Sequence, residues 1–209
     1  MKLFKKVLAA ALAGVLALSV LTGCNNSAAT VTMVDALNEW AKVYGMDTTF
    51  EKGDEKLQAQ VNDLVEIVDE VSKDISFEGA KDLEDVYEAF WKDETAKEKL
   101  GAWAKRFKKA GIGDGSPLYW CGIADISAAL SASSSKNIYY AGQMVSNENF
   151  INAPDEKWDN DEPNWIEGDK SYVAVATCEV GGKKYMVALF KTTAEKNPDY
   201  KPNQNPDKN

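Results

Sequence analysis

The sequence predicts an α+β fold in which N-terminal helices pack on a C-terminal antiparallel sheet that ends in a hairpin. Apolar residues recur with helical spacing as far as about residue 111, and they alternate with the period of strands after the turn-forming segment 113–117. The pair Gly181-Gly182 then separates two apolar runs, as in a two-residue hairpin turn. We expect one globular domain over residues 31–191.

Four helices are predicted in the first half of the chain, at residues 32–44, 54–75, 81–92 and 95–111. The second has the clearest apolar stripe, and the third is expected to bury Tyr87 with its apolar side. Gly45 is a typical C-terminal stop, and Thr95 with Glu98 has the spacing of a capping box. These signals predict a helical layer made of consecutive elements.

Strands are predicted in the second half of the chain. Residues 118–123 and 138–145 have strand-like patterns, and residues 124–136 between them fit a short helix or a loop. Residues 192–209 are rich in Asn, Asp, Pro and Lys with almost nothing apolar, which predicts a disordered tail.

The best strands are residues 172–180 and 183–191, on either side of Gly181-Gly182. A two-residue turn sets the register, which places three pairs opposite each other: Glu179 and Lys184, Cys178 and Tyr185, and Val175 and Ala188. Both faces of this hairpin are apolar away from the turn, so we expect it to be covered on both sides.

The N-terminal segment has the organisation of an export signal. Lys2, Lys5 and Lys6 precede an apolar run over residues 7–20, which is too short for a membrane-spanning helix. The following Leu-Thr-Gly-Cys, at residues 21–24, resembles the lipobox of bacterial lipoproteins. The resemblance implies removal of residues 1–23, acylation of Cys24, and an extracytoplasmic domain anchored to the cell membrane through a short tether at residues 24–30. An ordinary secretory signal with an incidental cysteine is the alternative.

Charge and composition exclude several classes of function. The chain has 24 basic and 33 acidic residues, a formal charge of −9, and loss of the three lysines of the signal leaves about −12. Such a charge opposes binding of nucleic acid. The chain contains no histidine, so catalytic sites built on Ser-His-Asp or Cys-His and zinc sites that use His are excluded. No cofactor is expected.

Cys121 and Cys178 lie in predicted strands of an exported chain, where disulfides persist. They could form a bridge between strands, or they could remain buried thiols that behave as small apolar side chains.

The acidic segment 147–170 contains the best candidates for a binding site. Trp158 and Trp165 could form stacking platforms for a ligand such as a sugar, or they could anchor the loop to the domain. A second hypothesis is a weak calcium site formed by Asp159, Asp161 and Asp169, although the order of ligands is not that of an EF-hand. A solvated acidic loop is the alternative.

Residues 146–190 resemble the C-terminal part of the CAP superfamily of cysteine-rich secretory and pathogenesis-related proteins. The likeness rests on Asn147-Glu148-Asn149-Phe150, on Trp158 after it, and on the final hairpin. The resemblance implies an α-β-α sandwich with Glu148 in the central cleft. The two histidines of that cleft are missing, which puts any metal-dependent activity there in doubt.

Together these features predict a lipid-anchored domain that binds a ligand or partner without catalysis. The membrane is contacted through the acyl chains on Cys24, and the partner could be a glycan, a peptide or an envelope protein. Two alternatives stay open: a cell-surface hydrolase that uses a carboxylate pair on polysaccharide, and a structural component of an envelope complex.

Overall fold

A computed structural model describes residues 26–107, 114–127, 135–146, 149–152, 158–159 and 162–200. Its helices are α1 (Asn26–Tyr44), α2 (Glu55–Val71), α3 (Leu83–Lys92), α4 (Glu94–Lys105) and α5 (Ser135–Ser146). Its strands are β1 (Thr49–Lys52), β2 (Pro117–Asp125), β3 (Asn149–Asn152), β4 (Trp158–Asp159), β5 (Glu162–Pro163), β6 (Trp165–Glu167), β7 (Lys170–Val180) and β8 (Lys183–Lys196). Within these ranges, no helix has both the length and the apolar character needed to cross a bilayer.

The strands confirm the predicted α+β class, because most of them follow the first four helices and six of them form one mixed sheet. Five strands lie in the order β1-β7-β8-β2-β3, and β6 pairs with the last residues of β8. β1 is parallel to β7, whereas β8 is antiparallel to β7, β2 and β6. β4 and β5 form a separate two-stranded ribbon.

The hairpin of β7 and β8 has the predicted register. Glu179 pairs with Lys184, Cys178 with Tyr185, and Val175 with Ala188. Gly181 and Gly182 both have positive φ, at 57° and 77°, which side chains disfavour and glycine accepts without strain. The turn residues therefore determine which side chains face each side of the sheet.

Helices cover the sheet on both faces, so the domain has three layers. Val173 and Val175 face one layer and Ala174 and Ala176 face the other, as expected from the alternation of side chains along a strand. The first layer consists of α1 and α5, and the second consists of α2, α3 and α4; their buried residues form two separate clusters. The expectation that the hairpin is covered on both sides is confirmed.

α1 begins at Asn26, so the predicted tether is wrong over residues 26–30. The reason is a long-range contact: the Oγ1 atom of Thr30, which is fully buried, accepts a hydrogen bond from the N–H of Val175 at 3.0 Å. Thr30 also donates to Oε1 of Gln58 at 2.9 Å, and Nε2 of Gln58 donates to the carbonyl of Val175 at 2.9 Å.

The hydrogen bonds of Thr30 and Gln58 with Val175 take the place of those that a neighbouring strand would make at this edge of the sheet. β1 ends beside Val173, whose carbonyl accepts from the N–H of Gly53 at 2.7 Å. Along a strand, the N–H and C=O groups of alternate residues point to the same side, so those of Val175 face the space beyond the end of β1. Thr30 and Gln58 satisfy both groups there, and this part of the sheet edge presents no unpaired backbone group of Val175 to another chain.

Residues 138–145 form helix and not strand, since they lie within α5. Apolar residues make up most of this segment, and the buried ones, Tyr140, Ala141 and Met144, fall on one side of a helix. Gly122 of β2 permits this packing, because a Cβ atom there would collide with the carbonyl oxygen of Met144.

The predicted disordered tail is wrong over residues 192–200. β8 continues to Lys196, whose backbone N–H donates a hydrogen bond to Oδ1 of Asp114 at 2.9 Å. Thr192 and Asn197 are buried although both are polar, and Thr192 donates to the carbonyl of Lys170 at 2.8 Å. Residues 201–209 lie outside the described ranges.

Candidate binding surface

α3 packs on the domain through one side only. Val86 is buried, and the ring of Phe90 lies against that of Phe77, with 5.4 Å between the ring centroids. Tyr87 and Trp91, one helical turn apart, are 40% and 69% exposed. The expectation that Tyr87 is buried with the apolar side of this helix is therefore wrong, and Trp91 is the most exposed of the tryptophans whose side chains the structure describes.

Carboxylates flank these two aromatic residues. Glu84 and Glu88 are exposed, and positions 84, 87, 88 and 91 have the spacing of one helical stripe. We refer to Glu84, Tyr87, Glu88 and Trp91 as the α3 stripe. It combines flat apolar surface with negative charge, a combination suited to side chains that are both apolar and basic.

Tyr87 joins the α3 stripe to the sheet. Burial of its hydroxyl, with a smaller contribution from the nearby Cys121 thiol, raises the pKa of Tyr87 to about 12. A tyrosine hydroxyl is neutral at physiological pH even at its ordinary pKa of about 10, so this group can donate a hydrogen bond. Trp91, farther along the helix, offers only an indole ring and its N–H group.

A groove of about 480 Å³ runs along another side of α3. The segment between α2 and α3 forms one wall, and the lining residues include Asp74, Phe77, Glu78, Glu88 and Lys92. Glu88 thus borders both the groove and the α3 stripe. Acidic residues outnumber basic ones in this lining, so the groove continues the negative character of the stripe.

Several of the groove carboxylates have structural partners. Asp85 accepts a hydrogen bond from the N–H of Lys81 at 2.7 Å, which lowers the pKa of its carboxyl group. Asp93 ends α3 and begins α4, where it accepts from the N–H of Ala96 at 2.8 Å. Asp93 therefore caps α4 in place of the predicted Thr95.

Glu88 forms an ion pair with Lys92 at 2.7 Å, one turn further along the helix, and the Glu88 carboxylate raises the pKa of Lys92. Both side chains are largely exposed, and such pairs exchange readily with solvent and with other charges. A basic partner could therefore displace Lys92 from Glu88 at little cost.

The acidic segment proposed from sequence lies elsewhere. Trp165 is partly buried in β6 and pairs through the backbone with Lys196 near the end of β8, which agrees with the alternative that it anchors the loop. Ile166 beside it is partly exposed. Asp169 is exposed, and its carbonyl accepts from the N–H of Thr49 at 2.8 Å.

The remaining predicted site residues are described only in part. Trp158 and Asp159 form β4, opposite Pro163 and Glu162, and their side chains are not among the described features. Cys24, Glu148 and Asp161 lie outside the described ranges. Among the side chains that the structure describes, no cluster of three metal-ligating groups occurs.

Cys121 and Cys178 are free thiols, so the predicted alternative of a bridge is not what the structure contains. Cys121 pairs with Leu189 and Cys178 with Tyr185, which places the two cysteines on opposite sides of β8. Two strand spacings, about 9 to 10 Å, separate them across the sheet, and the four residues from Tyr185 to Leu189 add an offset of about 13 Å along the strands. This separation is far beyond the roughly 4.4–6.8 Å between Cα atoms in a disulfide. Burial raises the pKa of each thiol to about 12.

The α3 stripe was missed by sequence reasoning, although a signal was present. Trp91 falls outside the apolar stripe of its helix, and a tryptophan on the polar side of an amphipathic helix is unusual for a surface that contacts only water. Tyr87, four residues earlier, pointed to the same surface. No protein-family model, curated protein or solved structure was found to match this chain.

Proposed function

We propose that this chain is an extracytoplasmic lipoprotein whose domain binds a basic partner without catalysis, through the α3 stripe. The anchor is inferred from the signal-like segment and from the likeness of residues 21–24 to a lipobox. The single observation that carries the binding proposal is the exposure of Trp91 and Tyr87 beside carboxylates on a helix whose other side is packed.

Aromatic side chains support a binding role because they supply large, rigid contact area. Trp and Tyr are enriched among the residues that dominate interface energies. Trp91 has only 31% of its surface covered in the free domain, so most of its ring remains available for burial against a partner. A partner that covered the ring would gain the free energy of burying it, and the core of the domain would not need to rearrange.

Charge supports a basic partner. The chain has a formal charge of −9, and Glu84 and Glu88 lie directly beside the two rings. An excess of one sign accelerates the approach of a partner of opposite sign and opposes acidic partners. The same charge disfavours self-association through this surface, because two copies would bring their glutamates together.

The hydrolase alternative receives less support from the groove beside α3. A glycosidase needs one carboxylic acid kept protonated by burial and a second carboxylate at a defined separation. Asp74 and Glu78 are exposed, Asp85 and Asp93 are engaged with backbone N–H groups, and Glu88 is paired with Lys92. These environments are typical of solvated or structural carboxylates.

The test is a binding titration with three peptides of equal length and equal apolar content that differ only in charge: basic, neutral and acidic. We expect the basic peptide to bind best and its affinity to fall as salt is raised. Trp91→Ala should weaken binding by about 30-fold, equivalent to about 2 kcal/mol, if Trp91 is a hot spot. Glu84→Gln should weaken binding less and reduce its dependence on salt.

Tyr44→Ala provides the matched control, because Tyr44 is 67% exposed at the end of α1, away from α3. This variant should bind the basic peptide like the parent chain. Equal losses in the Trp91 and Tyr44 variants, or equal binding of all three peptides, would refute the assignment of the α3 stripe.

A further inference from the structure

The distance between the anchor and the folded domain is very short. Only Asn25 separates Cys24 from Asn26, where α1 begins. Two trans peptide units span at most about 7.6 Å between Cα atoms, whatever their conformation. An acylated Cys24 would therefore hold the start of α1 next to the lipid headgroups.

The start of α1 is also held firmly to the domain. Ala29 and Thr30 are buried, and Thr30 bonds to both β7 and α2 through Val175 and Gln58. Unwinding α1 through Thr30 to lengthen the connection would leave the N–H of Val175 without this acceptor, which is costly for a buried backbone group. The connection can therefore lengthen at little cost only over the residues that precede Ala29.

The direction of α1 determines which end of the domain lies nearest to the anchor. Thr30 lies beside Val175, whereas Asn38 accepts from the N–H of Phe50, which pairs with Ser171. α1 therefore runs antiparallel to β7, and its start points toward the turn at Gly181-Gly182.

The end of β2 and the residues after it lie at the same end of the sheet as the turn at Gly181-Gly182. Ser127 follows β2, and its Oγ atom accepts from the N–H of Lys184 at 2.6 Å, next to the turn. Lys184 is exposed there, opposite Glu179. Trp165 and Tyr44 belong to the opposite end, since Trp165 pairs near the end of β8 and Tyr44 ends α1, a helix about 28 Å long.

We propose that the hairpin-turn end of the domain, at Gly181-Gly182, is the surface that faces the lipid bilayer, and that the Trp165 end points away from the membrane. This inference rests on the proposed lipid anchor. An arrangement with α1 lying flat on the bilayer is opposed by the exposed carboxylate of Asp35, which would meet anionic headgroups, whereas Glu39 is paired with Lys42 at 3.1 Å.

The experiment uses the full chain, purified from membranes and reconstituted into vesicles that contain a lipid carrying an energy acceptor on its headgroup. A donor dye is attached either to a Lys184→Cys variant or to an Asp47→Cys variant. Both positions are exposed, and nine strand residues, or about 30 Å, separate their levels along β7. We expect the loss of donor emission to be several-fold larger at position 184 than at position 47.

Two controls make the outcome specific. The parent chain, labelled in the same way, measures reaction at Cys121 and Cys178, which should be low because Cys178 is buried in the second layer and Cys121 is half-buried against it. A flexible Gly/Ser linker of about 12 residues inserted between Asn25 and Asn26 should bring the two losses close together, because it frees the domain to rotate.

Intact-mass measurement of the reconstituted protein separates the two hypotheses. If the mass contains no acyl chains, the proposed anchor itself is refuted and the orientation with it. If the acyl chains are present and positions 184 and 47 lose donor emission equally, or position 47 loses more, the anchor stands and the proposed orientation is overturned.

Discussion

Replacement of Thr30 by valine tests whether the start of α1 is part of the sheet edge. Valine keeps the shape of threonine and removes the hydroxyl, so the N–H of Val175 loses its acceptor and Oε1 of Gln58 loses a donor. An unsatisfied buried N–H costs about 1–3 kcal/mol, and loss of the neutral hydrogen bond to Gln58 costs about 1 kcal/mol. We expect Thr30→Val to lower the free energy of unfolding by about 2–4 kcal/mol, a large share of the roughly 5–15 kcal/mol typical of a domain.

The assay is urea unfolding of a chain beginning at residue 25, followed by tryptophan fluorescence and by circular dichroism. Thr30→Ser is the matched control, because it keeps the hydroxyl and removes one methyl group, at a cost of about 1 kcal/mol. A Thr30→Val variant as stable as Thr30→Ser would show that the hydroxyl does not hold the edge of β7. That result would also remove the reason for a rigid connection between anchor and domain.

Two further predictions concern packing and pH. Gly122→Ala should destabilise the domain by about 2 kcal/mol or more, because the new Cβ would collide with the carbonyl of Met144. Gly101→Ala should stabilise the domain by about 0.5–1 kcal/mol, because Gly101 lies in α4 with open space around it. Thermal unfolding of both variants measures the difference. Burial raises the pKa of Cys121 from 9.0 to about 12, so the unfolded chain loses this proton at lower pH than the folded domain. Stability should therefore fall as pH rises from 9 toward 12, and Cys121→Ala should show a shallower fall in the same unfolding experiment.

Local signals account for the parts of the fold that could be predicted. The pair Gly181-Gly182 determines the hairpin through its turn geometry, and Gly45, with φ of 68°, ends α1 where the sequence indicated. Both signals depend only on neighbouring residues, and both are visible in a linear sequence.

The failures have a common physical cause, which is contact between distant residues. Thr30 and Asn197 look like residues of polar linkers, but long-range packing buries both. Residues 138–145 have an apolar run that fits either a strand or a helix, and the space made by Gly122 on β2 decides for the helix. Burial that depends on a partner more than one hundred residues away, such as Val175 for Thr30, leaves no local pattern.

The candidate site was missed because tertiary packing also decides which side chains of a helix stay exposed. The sequence favoured Trp158 and Trp165 because they occur among acidic and polar residues. It placed Tyr87 on the apolar side of its helix because of the helical spacing that Tyr87 shares with Leu83, Val86 and Phe90. The structure exposes Tyr87 and Trp91 because α3 has a single packed side. The width of a buried helical face depends on which helices lie beside it, and a linear sequence does not show those neighbours.

The two free thiols have a consequence for how the protein matures. Cys121 and Cys178 lie too far apart to join in the native sheet, so native folding requires neither an oxidant nor an enzyme that forms disulfides. In an oxidising compartment, however, the unfolded chain would expose both thiols to mispairing. For a chain exported as proposed, the outcome depends on kinetics, because the sheet must form around Cys121 and Cys178 before oxidation captures them. Once formed, the sheet protects them, because thiols with a pKa of about 12 hold almost no reactive thiolate at neutral pH.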